Sequence, residues 1–132
     1  MKELKSLTNL DLSFNKITKI DGLSELKSLT ILFLPYNKIT KIEGLSELRN
    51  LSWNLTNLYL TNNEITKIPY EIVNKYDILY ENGFTYGINL YGNPLEEQLI
   101  TAIRQGQEAV LAYYENLNKG SVFLEKQAHD FR

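Results

Sequence analysis

Between residues 7 and 17 the chain reads Leu-Thr-Asn-Leu-Asp-Leu-Ser-Phe-Asn-Lys-Ile, with apolar residues at Leu7, Leu10, Leu12 and Ile17 and the polar Asn15 between the last two. The pattern returns 22 residues on, at Leu29, Leu32, Leu34, Asn37 and Ile39, and 26 residues further at Leu55, Leu58, Leu60, Asn63 and Ile65. A weaker fourth copy holds Ile88, Leu90, Asn93 and Leu95. Alternate residues of a strand point to opposite faces, so each Leu-x-Leu centre predicts one short strand with its leucines turned inward. The return segments Ile17 to Leu26 and Ile39 to Leu48 are apolar at every third residue. That spacing fits a 3₁₀ or extended path better than an α-helix and predicts an irregular convex side. Strands joined through such returns lie parallel, with right-handed crossovers. A side-chain amide both donates and accepts, so Asn15, Asn37, Asn63 and Asn93, stacked where the chain leaves each strand, form a structural asparagine ladder for backbone groups inside the coil.

Self-similarity at a period of roughly 20 to 29 residues, with leucine and asparagine at these offsets, resembles the leucine-rich repeat family over about residues 4 to 95. The fuller pattern, Ile17, Ile20, Leu23 and Leu26 answered by Ile39, Ile42, Leu45 and Leu48, is similar to the 22-residue subclass typified by a protein phosphatase-1 regulator. The resemblance implies an α/β fold: a right-handed leucine-rich repeat solenoid with a short parallel sheet on the concave side and a C-terminal helical cap. It also implies a protein partner bound through the concave face.

The third copy departs from the period. Leu51-Ser52-Trp53-Asn54 is inserted before Leu55 and holds the only tryptophan. Trp53 either plugs a local widening of the coil or projects as a contact residue. After Ile68, Pro69 and the apolar Ile72, Val73, Tyr76 and Leu79 follow helical spacing, which predicts an α-helix ending before Asn82-Gly83. A final strand is expected over 86–90. Asn93-Pro94-Leu95-Glu96 reads as an N-cap, a proline in the first helical position and a glutamate able to bond back. From there Leu95, Leu99 and Ile103 share a helical face, Gly106 breaks or kinks the run, and Val110, Leu111, Tyr114 and Leu117 carry it on to Lys119-Gly120. A solenoid leaves the core of its last repeat open, so this segment is read as the cap. The organisation expected is repeats over 1–95, a capping helix over 96–119, and a tail or linker over 120–132.

The same segment carries a second resemblance. Gly92-Asn93-Pro94-Leu95, then the run from Gly106 to Tyr114, then Lys119-Gly120-Ser121-Val122, is similar to the junction between repeats and GTPase domain in Roco proteins. The chain contains no Gly-x-x-x-x-Gly-Lys-Ser/Thr, so any GTPase partner in cis would lie outside it.

Composition narrows the reading. Hydrophobic residues make up 43% and charged residues 23%, in the range of a globular domain. Fourteen basic against 16 acidic residues give a net charge of −2, which argues against nucleic acid or an anionic membrane as main ligand. Without cysteine there is no disulfide framework or thiolate metal site. Neither a signal-like N-terminus nor an apolar run of roughly 18 residues occurs, so a cytoplasmic location is the default. His129 is the only histidine, and no nucleophile and base stand together; no catalytic role, cofactor or metal is assigned. Lys19, Lys41 and Lys67 line one flank, either as a solvated ladder or as a contact for an acidic partner. The uncovered edge of the first strand invites weak pairing with a second copy or with upstream repeats.

Outward positions of the strands form columns across the concave face: Asn9, Ile31, Asn57 and Gly87; Asp11, Phe33, Tyr59 and Asn89; Ser13, Pro35, Thr61 and Tyr91, with Phe14, Tyr36 and Asn62 alongside. Aromatic side chains exposed together tend to mark protein contacts. Asp11, Phe33, Tyr36, Tyr59 and Tyr91 are therefore the candidate partner-binding residues, with the four rings expected to adjoin one another.

Overall fold

Strand pairing follows directly from the repeated Leu-x-Leu centres. In the computed structural model, which describes residues 6–23, 26–43, 55–83 and 86–117, the centres form β1 (Asn9–Asp11), β2 (Ile31–Phe33), β3 (Asn57–Tyr59) and β5 (Gly87–Asn89). A further strand, β4 (Ile78–Leu79), completes a five-stranded parallel sheet in the order β1-β2-β3-β5-β4. Register aligns Leu10, Leu32, Leu58 and Ile88 in one row and Asp11, Phe33, Tyr59 and Asn89 in the next. The first row faces the core: Leu32, Leu58 and Ile88 are buried, as are Leu34, Leu60 and Leu90 two residues on. In the first copy Leu7, Leu10, Leu12 and Ile17 are only half-buried, because no earlier turn stacks on them among the described residues.

The described parts of the first two return segments hold neither helix nor strand, as the three-residue spacing predicts, yet Ile20, Leu23, Leu26, Ile39 and Ile42 are all buried. Lys19, Lys41 and Lys67 are exposed on these returns. Leu45, Leu48, Trp53, His129 and the tail over 120–132 lie outside the described residues.

Two expectations are corrected. The helix predicted from Pro69 to before Asn82 is a single turn, α1 (Tyr70–Val73), and Ile78-Leu79 is strand. Sheet pairing outweighs the amphipathic pattern here: the Ile88 and Leu90 N–H groups donate to Asp77 O at 2.9 Å and Leu79 O at 2.8 Å, and Ile78 is buried. The second correction concerns Asn93, which caps no helix. Helix α2 runs Glu97–Gln105, with Glu96 at its N-cap and no side-chain cap bond. Asn93 is buried and its amide is committed to the ladder. The predicted interruption at Gly106 is present, with φ +117°, and helix α3 occupies 107–117 of the described residues. Leu99, Ala102, Ile103 and Val110 bury the apolar faces of α2 and α3 in the common core, and α2 packs on β4.

The ladder itself is regular. Asn37, Asn63 and Asn93 each reach back one copy, their Nδ2 donating to Leu12 O at 3.0 Å, Leu34 O at 2.9 Å and Leu60 O at 2.7 Å. Their Oδ1 atoms accept from the N–H of Ile17, Ile39 and Ile65 at 3.0–3.1 Å. Each also donates to the leucine carbonyl three residues before it.

Gly87 permits the close approach of β4. Its φ is +100°, and a Cβ there would run into the Asp77 carbonyl. Gly87→Ala is expected to cost about 2–4 kcal/mol in chemical denaturation. Gly83→Ala also starts from positive φ but meets no neighbouring atom, so the difference between the two variants measures the collision.

Candidate functional site

The outward row changes character along the sheet. Asp11 is exposed, Phe33 half-buried, Tyr59 7% exposed and Asn89 fully buried. At the buried end, the Asn89 Nδ2 donates to Glu81 O at 2.9 Å and Gly83 O at 3.2 Å, and its Oδ1 accepts from Tyr91 N at 3.1 Å. Residues 81 to 83 are thereby held at the outward side of β5. Asn57, buried in the neighbouring column, donates from Nδ2 to the Tyr59 hydroxyl at 3.1 Å. Among the described residues, the exposed side chains of the face, Asp11, Phe14 and Tyr36 included, lie in its β1–β2 half.

Among the described residues its rings meet in stacked or tilted pairs. Phe33 and Tyr59 stack with centroids 4.7 Å apart and planes 7° from parallel, and Phe14 and Tyr36 stack at 4.6 Å and 6°. Tyr91 pairs instead with Tyr80 at 5.4 Å; Arg104 lies 5.5 Å above the Tyr80 ring, and the Tyr80 hydroxyl donates to Asn93 O. Of the predicted site residues, the structure brings Phe33 and Tyr59 into contact, gives Tyr36 a partner in Phe14, and sets Tyr91 against Tyr80.

Phe14 and Tyr36 occupy an unusual backbone position. Phe14, Tyr36 and Asn62, each one residue before a ladder asparagine, have φ of +56° to +57°, and Gly92 in the fourth copy has +80°. The first three hand their N–H to the next copy, at Pro35 O, Thr61 O and Tyr91 O. Asparagine and glycine tolerate this left-handed conformation; a bulky aromatic adopts it at a cost of about 1–2 kcal/mol. Phe14 is nevertheless 74% and Tyr36 51% exposed. The sequence places Phe14 beside the columns but does not single it out; its position before the ladder asparagine, shared with Tyr36, is the signal that finds it.

Asp11 supplies the charge. Its Oδ1 accepts from both the N–H and the Oγ–H of Ser13. The Ser13 hydroxyl first, then the Ser13 N–H, hold the carboxyl below the usual range, so it is ionised at neutral pH. Among the described residues, no three His, Cys, Asp or Glu side chains converge as metal ligands. No described helix is long and apolar enough to cross a membrane.

Two family matches fall on this framework. Residues 5–50 match the family described as Leucine Rich repeats (2 copies), and residues 54–74 match Leucine Rich Repeat. The chain is a leucine-rich repeat protein. No curated protein matches it. Leucine-rich repeat domains are in general non-enzymatic modules of protein–protein interaction. The fourth copy lies beyond the matched segments, although Asn93 continues the ladder.

This leucine-rich repeat protein has a second concave feature, where α3 meets the flank of the third copy. A groove of about 360 Å³ is lined by Lys67, Ile68, Leu99, Tyr113, Tyr114 and Leu117. The Tyr114 hydroxyl donates to Ile68 O at 2.7 Å, which ties α3 to the return segment. The Tyr113 hydroxyl donates to a Glu96 carboxylate oxygen at 2.5 Å. That bond, reinforced by partial burial and the Glu96 charge, pushes the Tyr113 pKa up to about 12. A phenol pKa raised in the folded state stabilises it below the unfolded value near 10, and this contribution is lost as pH rises through about 12. Absorbance titration, read as the difference from Tyr113→Phe, is expected to show this phenol ionising at about pH 12. Glu96→Gln should return it toward about 10; an unchanged titration in that variant would show that Glu96 is not the cause.

Proposed function

We propose that this leucine-rich repeat protein is a non-enzymatic protein-binding module that holds its partner on the concave side of the sheet. The contact surface is Asp11, Phe33 and Tyr36, with Phe14 added, Tyr59 backing the Phe33 ring, and Tyr91 bracing the far end. One observation carries the reading: two bulky aromatics sit exposed in a backbone conformation where the third and fourth copies use asparagine and glycine. A residue chosen for stability alone would be one of those two. The helical segment that follows the repeats acts in this reading as the C-terminal cap.

The test is affinity capture from the source lysate by the whole chain and by a Phe33→Ala, Tyr36→Gly variant of matched circular dichroism. Loss of a specific partner in the variant supports the reading. Retention of every specific partner overturns it.

The groove beside α3 favours a second reading, in which the chain is the regulatory repeat portion of a Roco-type GTPase and packs its helical segment on the catalytic domain. Leu117, 51% exposed at the groove, supports it. Under that reading Tyr113→Ala with Leu117→Ser abolishes capture, and the concave variant does not.

A further inference from the structure

The strand and corner segments of the repeats are almost uncharged. In the four strand-and-corner segments, 9–14, 31–36, 57–62 and 87–92, Asp11 is the only Asp, Glu, Lys, Arg or His. Lys16, Lys19, Lys38, Lys41 and Lys67 are exposed on the return segments instead. The Asp11 carboxylate spends one oxygen on Ser13, and among the described residues nothing donates to Oδ2. A side chain fixed by two local bonds has already lost the rotamer freedom that binding would otherwise take from it.

The surroundings of this carboxylate are aromatic. Register sets Asp11 directly beside Phe33, whose ring lies nearly parallel to Tyr59. Three residues on, the chain reaches Phe14, stacked on Tyr36. Stacked rings present broad faces that carry the negative end of the aromatic quadrupole. An anion and electron-rich ring faces, with no cation among them, are complementary to a flat, weakly hydrated cation. A guanidinium meets that description better than an ammonium, because it is planar, can stack and presents several donors at once.

We propose that the partner presents an arginine side chain to this face, its guanidinium paired with Asp11 Oδ2 and laid against the aromatic rings beside it. The proposal rests on the concave-face reading and adds the chemistry that the face selects. The partner is a protein segment with an exposed arginine, and neutral or acidic segments are discriminated against.

The experiment is an NMR titration of the isotope-labelled full chain with three capped pentapeptides, identical except for a central arginine, citrulline or lysine. Citrulline keeps the shape of arginine and removes its charge. The arginine peptide is expected to shift the amides of Asp11, Ser13, Phe33 and Tyr36. Its affinity should exceed that of the citrulline peptide by about three- to tenfold, with lysine between them. Asp11→Asn should erase the difference. Equal binding of arginine and citrulline, no shift at these amides, or shifts confined to the return segments would overturn the proposal. Failure of the underlying reading looks different. A natural partner lost by the Phe33→Ala, Tyr36→Gly variant but held at full affinity by Asp11→Asn removes the arginine and keeps the face. A partner retained by both removes the face itself.

Discussion

Asn63→Ala is expected to lower the unfolding free energy by about 3–5 kcal/mol, whereas Asn15→Ala lowers it by about 1 kcal/mol or less. The contrast follows from the ladder bonds. Removing the Asn63 amide leaves the buried Ile39 N–H with no acceptor and takes one of two amide donors from both Leu34 O and Leu60 O. An orphaned buried donor costs about 1–3 kcal/mol, and each lost bond about 1 kcal/mol more. At Asn15 the same side chain is exposed and donates only to Leu12 O and Ser13 O, and Leu12 O keeps its second donor from Asn37. Urea unfolding of the two variants, with m-values checked for agreement, measures the difference. Equal losses would show that the ladder acts through local turn geometry and not through bonds between copies.

Tyr36→Gly is expected to leave stability within about 1 kcal/mol of the parent while weakening partner binding by about 2 kcal/mol or more, a factor of about 30. Three terms set the stability. Losing the Phe14 stack costs about 0.5–1.5 kcal/mol, and relief of the left-handed conformation returns about 1–2 kcal/mol. The added freedom of glycine in the unfolded chain takes back about 0.5–1 kcal/mol. They nearly cancel, so the ring contributes little to folding. At the centre of an interface a tyrosine of this kind is among the residues whose truncation costs most. Thermal unfolding and titration calorimetry against the captured partner provide both numbers. A variant that loses several kcal/mol of stability yet binds as before would mark Tyr36 as structural.

The repeating part of the fold was legible because each copy states the same rule. Leucines two apart, an asparagine three beyond and an isoleucine two further define a strand, a turn and the start of a return, and register follows once copies are superposed. What escaped was decided by contacts remote in sequence. Ile72, Val73, Tyr76 and Leu79 carry a sound helical pattern, but the open edge of β5 offers Ile78 and Leu79 backbone partners that a helix would forgo. Asn93 satisfies the capping pattern and the ladder pattern at once; the buried bonds to Leu60 O and Ile65 N take the amide. Tyr59, Asn57 and Asn89 alternate outward as periodicity requires, yet they are covered, because periodicity says which face a residue is on and nothing about what the chain later lays over that face. Phe14 leaves no mark in a hydrophobicity pattern; its place before the ladder asparagine is the one sign of its left-handed backbone.

The ladder also has a direction. The ladder asparagines Asn37, Asn63 and Asn93 each reach toward the copy before them, and among the described residues nothing donates to the Oδ1 of Asn15. Another turn of coil placed ahead of Leu7 would find that oxygen, the side of β1 away from β2 and the half-covered Leu10 and Leu12 already shaped to receive it. A turn added behind Leu95 would have to displace α2 and α3 from the core first. Lengthening by duplication is therefore cheap at one end and obstructed at the other, so tandem copies in related chains should accumulate upstream while the downstream boundary stays fixed.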